Sequence, residues 1–352
     1  MKRYGRLMLV GLVALAAGLS AVHAQACTRV VYLGPEGRIL TARSMDWRVD
    51  IGTNLWILPR GITREGLVGE TSKTWEARYG SVVASAYDIT SSDGVNEAGL
   101  MANLLWLPDS EYPELDGETP AIAISLWAQF MLDNFASVSE AVAYVREQPF
   151  LVITDKMPGE DRLAALHLSM SDALGDSAIM EYVGGELVIH HSPDYQVMTN
   201  QPTFDRQLAL AQYWDEIGGT TMLPGTNRPA DRFVRAHFYI NAIPKVADAQ
   251  QAAASVFSVI RNASVPLGIS TPDSPHISST RWRTVFDHKD RRYYFESTMM
   301  PNTFWVDLRK VNFAPRAGAR VLTLGADQRE VYAGEVSGRF RRSDPFTFLG
   351  LQ

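Results

Sequence analysis

The feature that most limits what this chain can become is a boundary near its amino end. Lys2, Arg3 and Arg6 precede an apolar run from Leu7 to Leu19, and Ala24 and Ala26 follow with the small-x-small pattern that a signal peptidase groove admits. The next residue, Cys27, is the single cysteine in 352 residues. Residues 1–26 therefore read as a secretory signal peptide and residues 27–352 as one domain. Cleavage after Ala26 makes Cys27 the first residue of the mature chain. Cleavage after Ala24 leaves Gln25-Ala26 to be trimmed, and the sequence does not choose between these routes.

A cysteine at a new amino terminus joins a thiol to a free α-amine. Their ordinary pKa values, roughly 8.5 and roughly 7.7–8.0, both lie near working pH. The amine can take the thiol proton, directly or through a water, and return it to a leaving amine, which is nucleophilic acyl transfer without a histidine. Two other readings stay open. Cys27 is a residue without a task, or it is the lipidated cysteine of a membrane-anchored binding lipoprotein. A lipobox wants a large aliphatic residue three places before the cysteine and a small one two before, and Ala24 and Gln25 fit that poorly.

Composition narrows the classes. Apolar residues make up 46% and charged residues 20%, ordinary for a globular protein with a sizeable core. Losing the three leader cations takes the formal charge from −6 to −9, which disfavours nucleic acid and anionic membranes as partners. One cysteine excludes an internal disulfide. No second apolar run of about 18 residues follows the leader.

Along the chain, Cys27 to Leu33 reads as a strand, Gly34-Pro35-Glu36-Gly37 as a turn, and Arg38 to Trp47 as the returning strand. Such a hairpin brings Arg43 to Trp47 near Cys27. A cation there favours thiolate and a carboxylate orients the amine, so Arg43 and Asp46 suit both tasks, although a surface ion pair is the plainer reading. Leu55 to Leu58, Val82 to Tyr87 and Met101 to Leu107 are further strands, with Asp93 to Leu100 as a tight turn between the last two. Pro120 to Phe135 has helical spacing, and Ser137-Val138-Ser139-Glu140 is a capping box opening a helix to about Glu147. Leu166 to Asp172 and Ser177 to Tyr182 form a hairpin, followed by strands at Glu186 to His190 and Tyr195 to Thr199. Helices over Arg206 to Ile217, from Pro229, and over Asp248 to Val259 lead to strands at Thr280 to Phe286, Arg292 to Ser297 and Thr303 to Asp307. Strand groups alternate with helix pairs, which favours stacked antiparallel sheets covered by helices over a doubly wound parallel sheet.

Other chemistries leave no trace. The histidines show no metal spacing, and neither a phosphate-binding glycine loop nor a Gly-x-Ser-x-Gly elbow is present. No metal or other cofactor is expected. Trp47 and Trp106 read as core residues unless they flank the nucleophile.

Four ordered segments resemble the choloylglycine hydrolase and penicillin V acylase family of linear-amide hydrolases. Cys27-Thr28-Arg29 with Arg43-Ser44-Met45-Asp46 is similar to the family's opening. Asp93-Gly94-Val95-Asn96-Glu97-Ala98-Gly99-Leu100 is similar to its D-G-x-N-E-K-G-L run, and Thr199-Asn200-Gln201-Pro202-Thr203-Phe204-Asp205 to its T-N-x-P-T-F-D block. Leu223-Pro224-Gly225 with Ala230-Asp231-Arg232-Phe233 resembles its L-P-G…S-R-F block. The resemblance implies an α+β fold, the N-terminal-nucleophile αββα sandwich of two antiparallel sheets between helix layers.

It also implies roles. Cys27 is nucleophile and, through its amine, general base; Arg43 sits by the thiolate, Asp46 holds the amine, Asn200 donates to the oxyanion, and Arg232 supports the site's electrostatics. Where the bile-salt branch has asparagine and Gram-positive penicillin V acylases have tyrosine, this chain has Trp106 in Leu104-Leu105-Trp106-Leu107-Pro108. The second oxyanion donor is then a backbone amide. Trp47 and Trp106 together resemble the Gram-negative branch and imply a flat apolar wall for phenoxyacetyl or fatty-acyl groups. The implied protein is a periplasmic or secreted cysteine amidohydrolase acting on penicillin V or N-acyl homoserine lactones through an acyl-thioester. A bile-salt hydrolase is the alternative within the family. Members are often tetramers, which makes a homotetramer the implied assembly, with no interface legible in the sequence.

Overall fold

The computed structural model describes residues 27–157, 159–270, 278–325, 328 and 330–351. The proposed signal segment, residues 1–26, lies outside the described residues. Two sheets face one another. The first holds seven strands in the order Val197–Thr199, Thr28–Leu33, Ile39–Trp47, Ser279–Asp287, Arg292–Ser297, Thr303–Asp307 and Gly334–Glu335, antiparallel except for the last pair. The second holds nine and centres on Leu166–Ser171, Met101–Trp106, Thr90–Asn96 and Ser81–Ala86.

Among the described residues, five α-helices cover the outer faces. Helix α1 (Trp127–Asn134) and helix α2 (Val138–Glu147) pack on the second sheet; α4 (Pro229–Ala242) and α5 (Ala249–Asn262) pack on the first, with α3 (Phe204–Ile217) against α4. This is the expected sandwich of two sheets between helix layers, and the strand–helix order that suggested it is the order observed.

The site's position follows from the first hairpin. Thr28 pairs with Ser44 and Arg29 with Arg43, so Cys27 falls opposite Met45. Side chains alternate across a strand. Arg43, Met45 and Trp47 therefore face the second sheet, whereas Thr28, Ser44 and Asp46 face the helices.

Three local expectations change. Asp93 to Asn96 continue the strand Thr90–Asn96, and only Glu97 onward turns. Gly94 sits where a Cβ would lie 2.6 Å from Val83 and 3.0 Å from Leu132, so its lack of a side chain lets α1 lie on the strand. Asn96 ties the turn to that helix: its Nδ2 donates to the Leu132 and Phe135 carbonyls, and its Oδ1 accepts from Gly99 and Leu100. Helix α1 starts at Trp127 rather than Pro120. Ala121–Ala123 is drawn into a parallel pair with Leu151–Ile153, and this pairing outweighs helical spacing. In the capping box Ser137 accepts from the Glu140 amide as expected, but Glu140 reaches back to Ala136.

Candidate active site

Cys27 is 2% exposed and lines an apolar cavity. Its sulfur is 3.9 Å from Arg43 Nη2, from Met45 Sδ and from the Asp46 carbonyl oxygen. The Arg43 guanidinium is fully buried. It donates to the carbonyls of Leu104 (2.7 Å) and Ser92 (3.0 Å), lies 4.9 Å from the Trp282 ring centre, and stands 3.9 Å from Asp93. Two carbonyls aim the cation at the sulfur without neutralising it.

The nitrogen of Cys27 donates to Asn200 Oδ1, which also accepts from Arg232 Nη2 at 3.3 Å. Two N–H donors on one atom fix it as the oxygen. Asn200 Nδ2 then faces the other way, buried and with no hydrogen-bond partner among the described residues. A buried donor left unpaired costs about 1–3 kcal/mol, so this one is notable.

Arg232 is fully buried in the first turn of α4. It donates to Asp46 Oδ2 (2.9 Å), Thr28 Oγ1 (2.7 Å), the Cys27 carbonyl (3.2 Å) and the Asn227 carbonyl (3.2 Å). The Asp46 carboxylate also accepts from Thr280 and, at 3.4 Å, from Ser44. Burial pushes the Asp46 carboxyl above its ordinary value, while Arg232, Thr280, Arg283 and Arg43 pull it back. Asp46 was expected beside the amine. Its carboxylate is held by Arg232, Thr280 and Ser44 on the helix side of the strand, and the Cys27 nitrogen has Asn200 as a partner.

Trp47 and Trp106 both line the cavity and are each 6% exposed. Their rings meet edge to face, centroids 5.6 Å apart and planes at 64°, so they form a corner rather than the flat wall expected. Trp47 Nε1 donates to the Tyr87 hydroxyl at 3.1 Å. Arg162 stacks 4.5 Å from the Trp106 centre and 5.5 Å from that of Trp47. It pairs with Glu160, which also holds Arg48 at 2.6 Å.

The structure therefore gathers all seven residues singled out in the sequence: Cys27, Arg43, Asp46, Asn200, Arg232, Trp47 and Trp106. It adds Met45, Thr28, Thr280 and Arg162. Thr28 and Met45 sit inside the first hairpin and follow from strand parity, but nothing local marks Thr280 or Arg162. Asp93 proves to be a brace between sheets, bonded to Asn103 on its own sheet and to Tyr293 and Thr284 on the other. Among the described residues no group of three or more metal-ligating side chains gathers, and no helix is long and apolar enough to cross a membrane.

Residues 27–317 match the family of linear amide C–N hydrolases, choloylglycine hydrolase family. The penicillin V acylase of Pectobacterium atrosepticum is 54% identical over 97% of this chain and 96% of its own. The solved penicillin V acylase of Agrobacterium tumefaciens is 56% identical, superimposes with a TM-score of 0.86, and is matched over its full length by 92% of this chain. A conjugated bile acid hydrolase of Clostridium perfringens shares the fold, with a TM-score of 0.70 at 21% identity, 88% of this chain and 98% of that one being covered. The chain belongs to the choloylglycine hydrolase family and is a linear amide C–N hydrolase of the penicillin V acylase type.

Proposed function

We propose that this protein is an exported penicillin V acylase, active also on N-acyl homoserine lactones, that works through an acyl-thioester on Cys27. The observation that carries this reading is the meeting of Cys27, Arg43 and the two tryptophans on one apolar cavity, with Asn200 bonded to the Cys27 nitrogen. The family match beginning at Cys27 supports removal of residues 1–26, which turns the nitrogen now bonded to Asn200 into the catalytic amine.

The thiol proton passes to that amine, and the thiolate, formed beside Arg43, attacks the amide carbon. The carbonyl oxygen becomes an oxyanion and accepts from Asn200 Nδ2. Such a donor is worth about 3 kcal/mol of barrier. Collapse breaks the C–N bond, and the ammonium on Cys27 protonates the departing nitrogen. The amine leaves and an acyl-thioester remains. Water then attacks, giving its proton to the α-amine; the C–S bond breaks, and the carboxylic acid and the free thiol are restored. Asp46 and Arg232 hold Thr28 and the Cys27 carbonyl, which keeps the nucleophile's backbone in place.

The Trp47–Trp106 corner supports an aromatic or aliphatic acyl group. Turnover of penicillin V, long-chain N-acyl homoserine lactones and glycine-conjugated bile salts, compared by kcat/KM, tests the preference. Cys27→Ala and Cys27→Ser must each lose that turnover, and retained hydrolysis by Cys27→Ala overturns the mechanism. The intact mass of the purified chain tests maturation: a free amino-terminal Cys27 is expected, and a diacylglyceryl adduct there would mark a lipoprotein instead. Native mass measurement tests the homotetramer that belongs to the same reading.

A further inference from the structure

The cavity that begins at Cys27 is lined elsewhere by Leu349, Gly350 and Leu351. These residues lie beyond residue 317, where the family match stops. They are fastened by three hydrogen bonds: the Leu349 amide donates to the Ile89 carbonyl at 3.0 Å, Ser125 Oγ donates to the Leu349 carbonyl at 2.6 Å, and the Leu351 amide donates to the Leu67 carbonyl at 3.0 Å. Gly350 allows this seating, because a Cβ there would lie 3.0 Å from Leu67 Cβ and 3.1 Å from its carbonyl oxygen.

The approach to the segment is anchored as well. Phe346 and Phe348 are buried with ring centres 4.7 Å apart; Phe346 meets Trp56 edge to face, and Arg64 stacks on Phe348. Leu351 packs with Val68, Ala121, Ala123 and Ile153, a cluster separate from the one that contains Cys27, Met45, Trp47 and Trp106. The cavity thus runs from the nucleophile's cluster to a second apolar cluster that this segment helps to close.

We propose that residues 349–351 form the far wall of the acyl pocket, and that Leu349 and Leu351 set the length of acyl chain the enzyme accepts. The inference rests on the acylase reading above, since it assumes that the acyl group, not the amine, enters this cavity. An acyl chain bonded to the Cys27 sulfur extends along the tryptophan corner and ends against leucine methyl groups. Each carbon beyond the wall must displace packed atoms, and a hydrophobic pocket discriminates single methylenes by roughly 10–200-fold.

The test uses a series of linear N-acyl amides with one common amine and acyl chains lengthened two carbons at a time. Wild type is expected to show an optimum length. Leu349→Ala and Leu351→Ala should each raise the kcat/KM ratio of the next longer chain to that optimum by about tenfold or more, and Leu349→Phe should lower the same ratio. Opposite signs from smaller and larger side chains separate a wall from general damage to folding. Labelling of Cys27 by n-alkyl methanethiosulfonates of matching lengths reads the same wall without turnover. A length preference that shifts in labelling while amides go uncleaved would overturn the acylase reading and uphold the wall. A preference unchanged in all three variants by both readouts would overturn the wall.

Discussion

Arg232 Nη1 stands 2.9 Å from Asp46 Oδ2, and both side chains are wholly enclosed. The pair closes the helix side of the hairpin that presents Cys27. Burial lowers the basicity of Arg232 and raises the Asp46 carboxyl, so each charge persists because the other is there. Removing one partner of a buried pair typically costs about 3–5 kcal/mol. Arg232→Met is expected to lose stability on that scale in denaturant midpoint. Arg232→Lys should recover only part of it, because one ammonium cannot reach Asp46, Thr28, Asn200 and the Asn227 carbonyl together. Equal stability of wild type and Arg232→Met would refute this assignment.

Asn200 presents its oxygen to the Cys27 nitrogen and its unpaired Nδ2 to the other side. If that donor serves the oxyanion, Asn200→Ala lowers kcat by about 10²–10³ with little change in KM. Single-turnover acylation measured beside steady-state KM separates this from a binding defect. A rise in KM alone would assign Asn200 to binding instead.

His288 links the two sheets. Its Nδ1 donates to the Gly99 carbonyl at 3.0 Å, so the neutral ring accepts at Nε2 from Thr41 Oγ1 at 2.9 Å, and Thr41 in turn accepts from Ser171 at 2.8 Å. Burial lowers His288 from 6.5 to about 3. The folded state thus resists a proton that the unfolded chain takes up readily. The stabilisation is full above about pH 6.5 and is lost as pH falls toward about 3. By pH 4 the loss amounts to about 3 kcal/mol. His288→Gln, less stable at pH 7, should lose less stability than wild type between pH 7 and pH 4 in urea titrations. Parallel losses in the two proteins would exclude His288 as the source.

Arg162 grips the tryptophan corner from its stack over both rings, and Glu160 binds it and Arg48 together. Cation–π contacts of this kind contribute about 0.5–2 kcal/mol. Arg162→Met keeps an apolar stem but loses the charge, so KM should rise about threefold to tenfold while kcat holds. The same rise should accompany high salt in wild type, because the Arg48–Glu160 pair is partly exposed. An effect confined to kcat would place Arg162 elsewhere in the cycle.

Much of the architecture was legible in the chain itself, for local reasons. The Thr28–Leu33 strand has a β-branched and aromatic character, a Gly-Pro turn separates it from Ile39–Trp47, and Pro229 marks the first turn of α4. The Asp93 to Leu100 run was misread as a turn because its polar residues serve bonds to distant elements. Asp93 reaches the opposite sheet and Asn96 reaches α1, neither of which a local window contains. The start of α1 was misplaced for a similar reason: Ala121–Ala123 has helical spacing but finds a strand partner thirty residues on. At the site, the members close to Cys27 in sequence followed from hairpin register, whereas Asn200 and Arg232 were reached through family resemblance. The wall at residues 349–351 had no local mark, since three ordinary apolar residues gain meaning only where the fold seats them.

One further consequence follows from how deeply Cys27 is set. Two sulfurs must approach to about 2.05 Å to bond, and a side chain only 2% exposed on the wall of a cavity cannot meet its counterpart in another molecule. Copies of this protein are therefore protected from covalent cross-linking through their one thiol, however oxidising the medium, while small electrophiles able to thread the channel can still reach it.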